Sequence, residues 1–205
     1  MRLWTFQPIE IWNLIQDTGE YRCGPSKGSM IELEFQEKYR WLCGKMAERI
    51  GPPPEGVELP VWAWYMQNGK HKKPDLRSER WICGPSDVDY TCIELEIPEN
   101  QVLLSDFELW HSVLNDWLIS FSEAEDDRIH EYYNSLSPEA RRAYKDKNWE
   151  QIFDISFFES KWIRRGYMIQ ATFWVLSRDM IRSTERVRLN GTCRKMWRRS
   201  PRGRS

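Results

Sequence analysis

Met168-Ile169-Gln170-Ala171-Thr172-Phe173-Trp174-Val175-Leu176 is a run of aliphatic, aromatic and β-branched residues interrupted only by Gln170 and Thr172. Such residues favour a pleated, buried setting, so the run reads as one strand with Gln170, Thr172 and Trp174 on a common face. An interior strand with a carboxamide and a hydroxyl on one face must satisfy them locally or offer them to a ligand, because an unpaired polar group is costly to bury.

Outward from this strand, the preceding sequence is helical and polar: an acidic helix start over Glu123 to Asp127, a second helix opening at Ser137-Pro138-Glu139, and a cap-plus-three arrangement at Asn148 to Gln151. Ser105-Asp106-Phe107-Glu108 reads as an N-cap serine with a glutamate three residues on. The helix it opens carries Phe107, Trp110, Leu114 and Trp117 on one stripe, with His111 beside them as a hydrogen-bonded core histidine. Thr91 to Ile97 alternates, Ile93 and Leu95 inward and Glu94 and Glu96 outward. Val61 to Met66 is a strand, Asn68-Gly69 is a hairpin turn, and the return arm Lys70 to Arg77 is too charged for a core, so it reads as a protected edge or a cationic flap. A long amphipathic helix is predicted over Ser29 to Arg49, stopped by Gly51 and three prolines. A short first strand spans Arg2 to Phe6 and a helix Pro8 to Asp17, followed by an extended Glu20-Tyr21-Arg22-Cys23. A last extended piece lies near Val187. The order does not alternate strand and helix, which predicts an α+β single domain over residues 1–190, with a mixed or antiparallel split sheet flanked by helices.

A chain of 205 residues, 40% hydrophobic, is enough for one core. No apolar run approaches spanning length and no signal-peptide pattern opens the chain, so a cytoplasmic protein without a membrane segment is expected. Five scattered cysteines without a CxxC pair, and three histidines, predict neither a disulfide framework nor a metal site. A Gly-rich phosphate loop, HExxH and GxSxG are absent, which removes the usual warrants for P-loop NTPases, zincins and α/β-hydrolases. Twelve tryptophans supply both core and platforms for flat ligands. Arg194, Lys195, Arg198, Arg199, Arg202 and Arg204 crowd the final dozen residues, and without them the net charge of −1 becomes about −7. A basic, disordered tail over 191–205 is therefore expected, either solvated or in contact with nucleic acid or an acidic partner protein.

Two resemblances add to this reading. The segments Arg2-Leu3-Trp4-Thr5, Gly51 to Gly56, Trp62-Ala63-Trp64-Tyr65, Lys73 to Arg77, Val102 to Phe107 and Gln170 to Trp174 resemble a bacterial family known only as a domain of unknown function. The first strand, the helix ending at Gly19, Glu20-Tyr21-Arg22-Cys23 and Gln170 to Trp174 are similar to ADP-ribosyltransferases of the DNA-modifying toxin type. That second resemblance implies an ADP-ribosyltransferase-like fold and NAD as the substrate that carries the transferred group. It also implies a first-strand contact to NAD, which maps to Arg2, Trp4 and Thr5, and a catalytic glutamate where this chain has Thr172.

Cleaving the nicotinamide–ribose bond builds positive charge on the ribose, so a carboxylate beside it and an aromatic wall on the nicotinamide favour the reaction. Tyr21, Trp64 and Trp174 are candidate walls and Arg22 a further cation for NAD; Gln170 and Thr172 stand at the catalytic position, and Asp75 or Asp106 is the acid that could be borrowed. Lys73, Arg77, Arg194, Arg198 and Arg199 are candidate contacts to a nucleic-acid or protein acceptor. The expectation is an ADP-ribosyltransferase-like protein that modifies nucleic acid or protein, as a toxin or anti-phage effector; the alternative is a non-catalytic nucleic-acid- or partner-binding module on the same scaffold. On the first expectation, Thr172→Glu strengthens NAD cleavage.

Overall fold

The structure, a computed structural model, describes residues 1–24, 35–75 and 88–187. β1 (Arg2–Pro8) leads directly into α1 (Ile9–Thr18), because the fixed φ of Pro8 suits the position before a helix. Ile15 of α1 is fully buried, and Gly19 closes the helix in the left-handed region, its N–H donating to the Ile15 carbonyl at 2.9 Å. Next come β2 (Glu20–Arg22), α2 (Gln36–Ile50) and β3 (Val61–Met66). β4 (Tyr90–Glu96), β5 (Leu103–Asp106) and α3 (Phe107–Leu114) follow, then α4 (Glu123–Ser135) and α5 (Pro138–Trp149). The chain continues through a small hairpin, β6 (Phe158–Glu159) and β7 (Arg164–Arg165), to β8 (Ile169–Phe173), β9 (Val175–Ser177) and β10 (Ile181–Val187).

Six strands form one sheet in the order β10-β4-β1-β3-β8-β5, each pairing antiparallel, and β2–β9 and β6–β7 form two small sheets. The domain is α+β, as predicted. One face of the main sheet packs Leu3, Ala63, Ile93, Leu95, Ala171 and Phe173 against α1. The other packs Leu103, with Trp62 beside it, against Leu42 and Met46 of α2, Leu109, Trp110 and Val113 of α3, and Trp149 of α5. A fully buried Leu, Ile or Phe contributes about 1.5–3 kcal/mol, so these two layers hold the sheet and the helices around it.

Several local expectations change. The run from Met168 to Leu176 is two strands: it breaks at Trp174, whose indole is buried and donates to the Gly51 carbonyl at 2.9 Å, and β9 departs to pair with β2. Asp106, not Ser105, caps α3, since its Oδ1 accepts from Leu109 N at 3.0 Å while Ser105 stays in β5. Asn68 and Gly69 make the predicted turn with φ of 52° and 69°, but among the described residues the return arm contributes a single bridge, Gln67 to Lys70. α3 ends at Leu114, and Asp116 takes a φ of 63°, so Trp117 leaves the stripe assigned to it and is 59% exposed. The N-terminal part of the helix predicted from Ser29, the residue Arg77 and the tail over 191–205 lie outside the described residues.

Candidate functional site

Antiparallel register aligns a row of side chains across the sheet: Ser183, Glu94, Trp4, Trp64, Gln170 and Ser105. Directly opposed residues share a face, so four sequence candidates come together with their neighbours here: Trp4, Trp64 and Gln170 in the row and Arg2 beside it. Arg2 lies over the Trp4 ring at 5.3 Å and donates through Nε to Glu94 Oε1 at 2.6 Å. That hydrogen bond from Arg2 is the main cause holding the Glu94 carboxyl below the usual carboxylate range, against a smaller upward push from burial. His71 closes the row from above, edge-on to Trp4 at 5.4 Å, with Nε2 2.8 Å from the Arg2 carbonyl oxygen. Trp64 packs on Phe107, ring centroids 5.2 Å apart, and the buried Trp4 Nε1 and Ser105 Oγ have no hydrogen-bond partner among the described residues. Lys73 borders the row through its ion pair with Glu185.

The other sequence candidates lie elsewhere. Thr172 is fully buried and donates to the Leu103 carbonyl at 3.2 Å. Asp106 is fully buried too, its Oδ2 accepting from Gly166 N at 2.7 Å; burial raises its pKa, opposed by the backbone N–H groups of Leu109 and Gly166. Thr5 donates to the Trp62 carbonyl at 2.7 Å. Tyr21 and Arg22 belong to the β2–β9 sheet, where burial pushes the Tyr21 phenol up and Arg22 pairs with Glu20 at 2.7 Å. Trp174 is spent on Gly51, and Asp75 is half-buried in the charged segment after the turn. Arg77, Arg194, Arg198 and Arg199 lie outside the described residues.

A second region was not anticipated from the sequence. Three adjoining clefts of about 610, 630 and 600 Å³ run along the helical side of the protein. The first two share Ser112, Trp117, Trp162 and Ile163, and the last two share Asp116, Tyr133 and Lys145, so together they form one trough. Trp162 stands in the turn between β6 and β7 and is 49% exposed. Its backbone N–H and that of Ile163 both donate to Ser160 Oγ at 3.1 Å, and its indole N–H donates to Ser120 Oγ at 3.2 Å. Trp117 is anchored through its own carbonyl, which accepts from Trp149 Nε1 at 2.8 Å, and its ring projects outward.

Cations line both ends of the trough, together with Glu108 and Glu159 at one end and Glu37 and Asp146 at the other. Lys161 and Arg164 line the first cleft; Arg164 stacks over Tyr167 at 4.5 Å and pairs with Glu159 at 2.8 Å through Nε. Arg40, Arg141, Arg142 and Lys145 line the last. Lys38 and Lys145 converge on one carboxylate, 3.3 and 2.6 Å from Asp116. Burial pushes the Asp116 carboxyl up, but Lys145 and then Lys38 outweigh it and hold the carboxyl below its ordinary value. His111 corrects its expected core placement: it is exposed and lines the first cleft, with Nδ1 2.9 Å from the Phe107 carbonyl oxygen. Among the described residues no group of three or more His, Cys, Asp or Glu is arranged to hold a metal ion, and no helix is long and apolar enough to cross a membrane.

No curated protein and no solved structure matches the chain. A family model described as a domain of unknown function (DUF3841) matches residues 2–182, and the chain belongs to that family.

Proposed function

We propose that the protein is a binding module for single-stranded nucleic acid, taken along the trough between α3, α5 and the β6–β7 hairpin. The observation that carries this reading is the pair of outward indoles, Trp117 at 59% and Trp162 at 49% exposure, on the rim shared by two clefts. Each has an anchored backbone, so its flat face is presented without a large ordering cost. Every base has a π-face and can stack on such a platform, whereas bases in a duplex are already stacked on each other. Lys161 and Arg164 at one end, and Arg40 and Arg142 at the other, can follow a phosphate backbone. The exposed pair of Arg142 with Glu37, 2.8 Å apart, gives little stability and yields readily to a phosphate. The arginine-rich sequence from Arg194 to Arg204 adds non-specific attraction of the same sign.

Stacking contributes on the order of 1–3 kcal/mol per base, so Trp117→Ala and Trp162→Ala are each expected to weaken binding of a labelled single-stranded oligonucleotide roughly 5- to 150-fold. The melting temperature should hardly move for Trp117→Ala, whose ring is mostly exposed, whereas Trp162→Ala also gives up the indole hydrogen bond to Ser120, about 1 kcal/mol. Removing residues 194–205 should flatten the dependence of log Kd on log salt. Anisotropy titrations read the affinities and the salt slope, thermal melts read the stabilities, and an affinity indifferent to both tryptophans would end the reading.

A second reading follows from a different observation, the row of Glu94, Trp4, Trp64 and Gln170 with Arg2 beside it and His71 above it. It is the NAD-using, ADP-ribosyltransferase-like reading, with Glu94 in place of Asp75 or Asp106 as the carboxylate for the charge that develops on the ribose. NAD at about a hundred times its Kd stabilises the folded state by about 2.7 kcal/mol, a clear rise in melting temperature. A melting temperature unmoved by millimolar NAD would set this reading aside.

A further inference from the structure

We infer, given the single-strand reading above, that the trough also cuts RNA, with His130 removing the proton of a ribose 2′-hydroxyl so that this oxygen attacks the adjacent phosphorus. His130 lines the central cleft and is about half exposed, with a side-chain exposure of 51%. Its Nδ1 is 3.0 Å from the carbonyl oxygen of Asp126 and 3.4 Å from Asp126 Oδ2. A carbonyl oxygen can only accept, so Nδ1 carries the hydrogen and Nε2 keeps the lone pair that a general base needs.

The surrounding hydrogen bonds tie this base to the stacking platform. Ser120 Oγ donates to Asp126 Oδ1 at 2.7 Å and accepts from the Trp162 indole at 3.2 Å. One chain of contacts therefore runs from the Trp162 indole through Ser120 to the Asp126 carboxylate, which lies 3.4 Å from the imidazole, while the Asp126 carbonyl orients the ring. Asp126 is a positioning residue in this chain, and Lys145, paired with Asp116 at 2.6 Å, lines the same cleft. The protein needs no nucleophile of its own, since RNA brings one.

The step balances without a co-reactant. His130 Nε2 takes the 2′-hydroxyl proton, the 2′-oxygen–phosphorus bond forms and the phosphorus–O5′ bond breaks. The departing 5′-oxygen takes a proton from water and His130 returns its own to the solvent. The products are a 2′,3′-cyclic phosphate and a 5′-hydroxyl. DNA lacks the attacking hydroxyl, so it is bound and left intact.

The test uses the full chain with labelled single-stranded RNA and DNA of one sequence, following binding by anisotropy and products by gel and end analysis. RNA should yield cyclic-phosphate ends while DNA is bound uncut. General base catalysis is worth about 10²–10⁴-fold, so H130A should cut at least about a hundred times more slowly while still binding DNA, and added imidazole should restore part of the rate. D126N should lower kcat with KM unchanged, and a wild-type kcat there would remove Asp126 from its positioning role. Binding of both strands with the RNA intact, or cutting undiminished in H130A, overturns the inference and leaves the binding reading in place. If neither strand binds, the binding reading falls and this one with it.

Discussion

Thr172→Glu is expected to unfold the protein, not to arm it. The Thr172 side chain has no exposed surface, its hydroxyl is committed to the Leu103 carbonyl, and β8 is flanked by strands on both sides. Glutamate loses that hydrogen bond, about 1 kcal/mol. It also forces extra volume into a packed layer beside Trp62 and Leu103, about 1–3 kcal/mol. Finally it must bury a carboxyl group, charged or protonated, at a further cost of several kcal/mol. The sum is on the order of 5 kcal/mol or more, comparable with the whole stability of a domain this size. Thr172→Val keeps the shape and removes only the hydroxyl, so it should cost about 1 kcal/mol. Denaturant melts of the two variants separate the cases. A glutamate variant that melts like the wild type and cleaves NAD would show that the position is open to a ligand after all.

That contrast explains what could be read in the sequence. Alternation at Thr91 to Ile97, the Asn68-Gly69 turn and the stripe of α1 are local signals, and each survives in the fold because burial and turn geometry act over a few residues. The polar pair Gln170 and Thr172 was a true local signal with two possible meanings, and only strand order decides between them. With β5 beside β8, the Leu103 carbonyl falls within reach of Thr172 and satisfies it. Trp117 shows the opposite failure: its spacing from Phe107 and Trp110 is helical, but one residue in the left-handed region, Asp116, turns it out of the stripe. That Trp117 and Trp162, 45 positions apart, line the same two clefts has no periodicity to reveal it. A cap-like Ser160 two residues before Trp162 is the nearest local signal.

Gly166→Ala is expected to be the other severe change, and it acts through backbone in place of charge. Gly166 follows β7, is buried, and holds a φ of 75°. A β-carbon there would stand 2.7 Å from Phe157 Cα, 2.7 Å from the Ser156 carbonyl oxygen and 2.8 Å from that of Ile155, none of which can rotate away. The left-handed backbone alone costs about 1–2 kcal/mol for a residue with a side chain. Relieving the contacts adds about 1–3 kcal/mol. If Gly166 moves instead, it withdraws the N–H that Asp106 Oδ2 accepts at 2.7 Å, and the same carboxylate caps α3 through Leu109. Hairpin and helix are therefore expected to loosen together, lowering stability by about 2–5 kcal/mol and weakening nucleic-acid binding through Trp162 as well. Gly19→Ala separates the two causes: φ there is 90°, yet a β-carbon meets nothing within 4 Å, so only the backbone cost applies. In denaturant melts the Gly166 variant should lose clearly more than the Gly19 variant. Equal losses would show that the segment from Ile155 to Phe157 can give way around the added carbon.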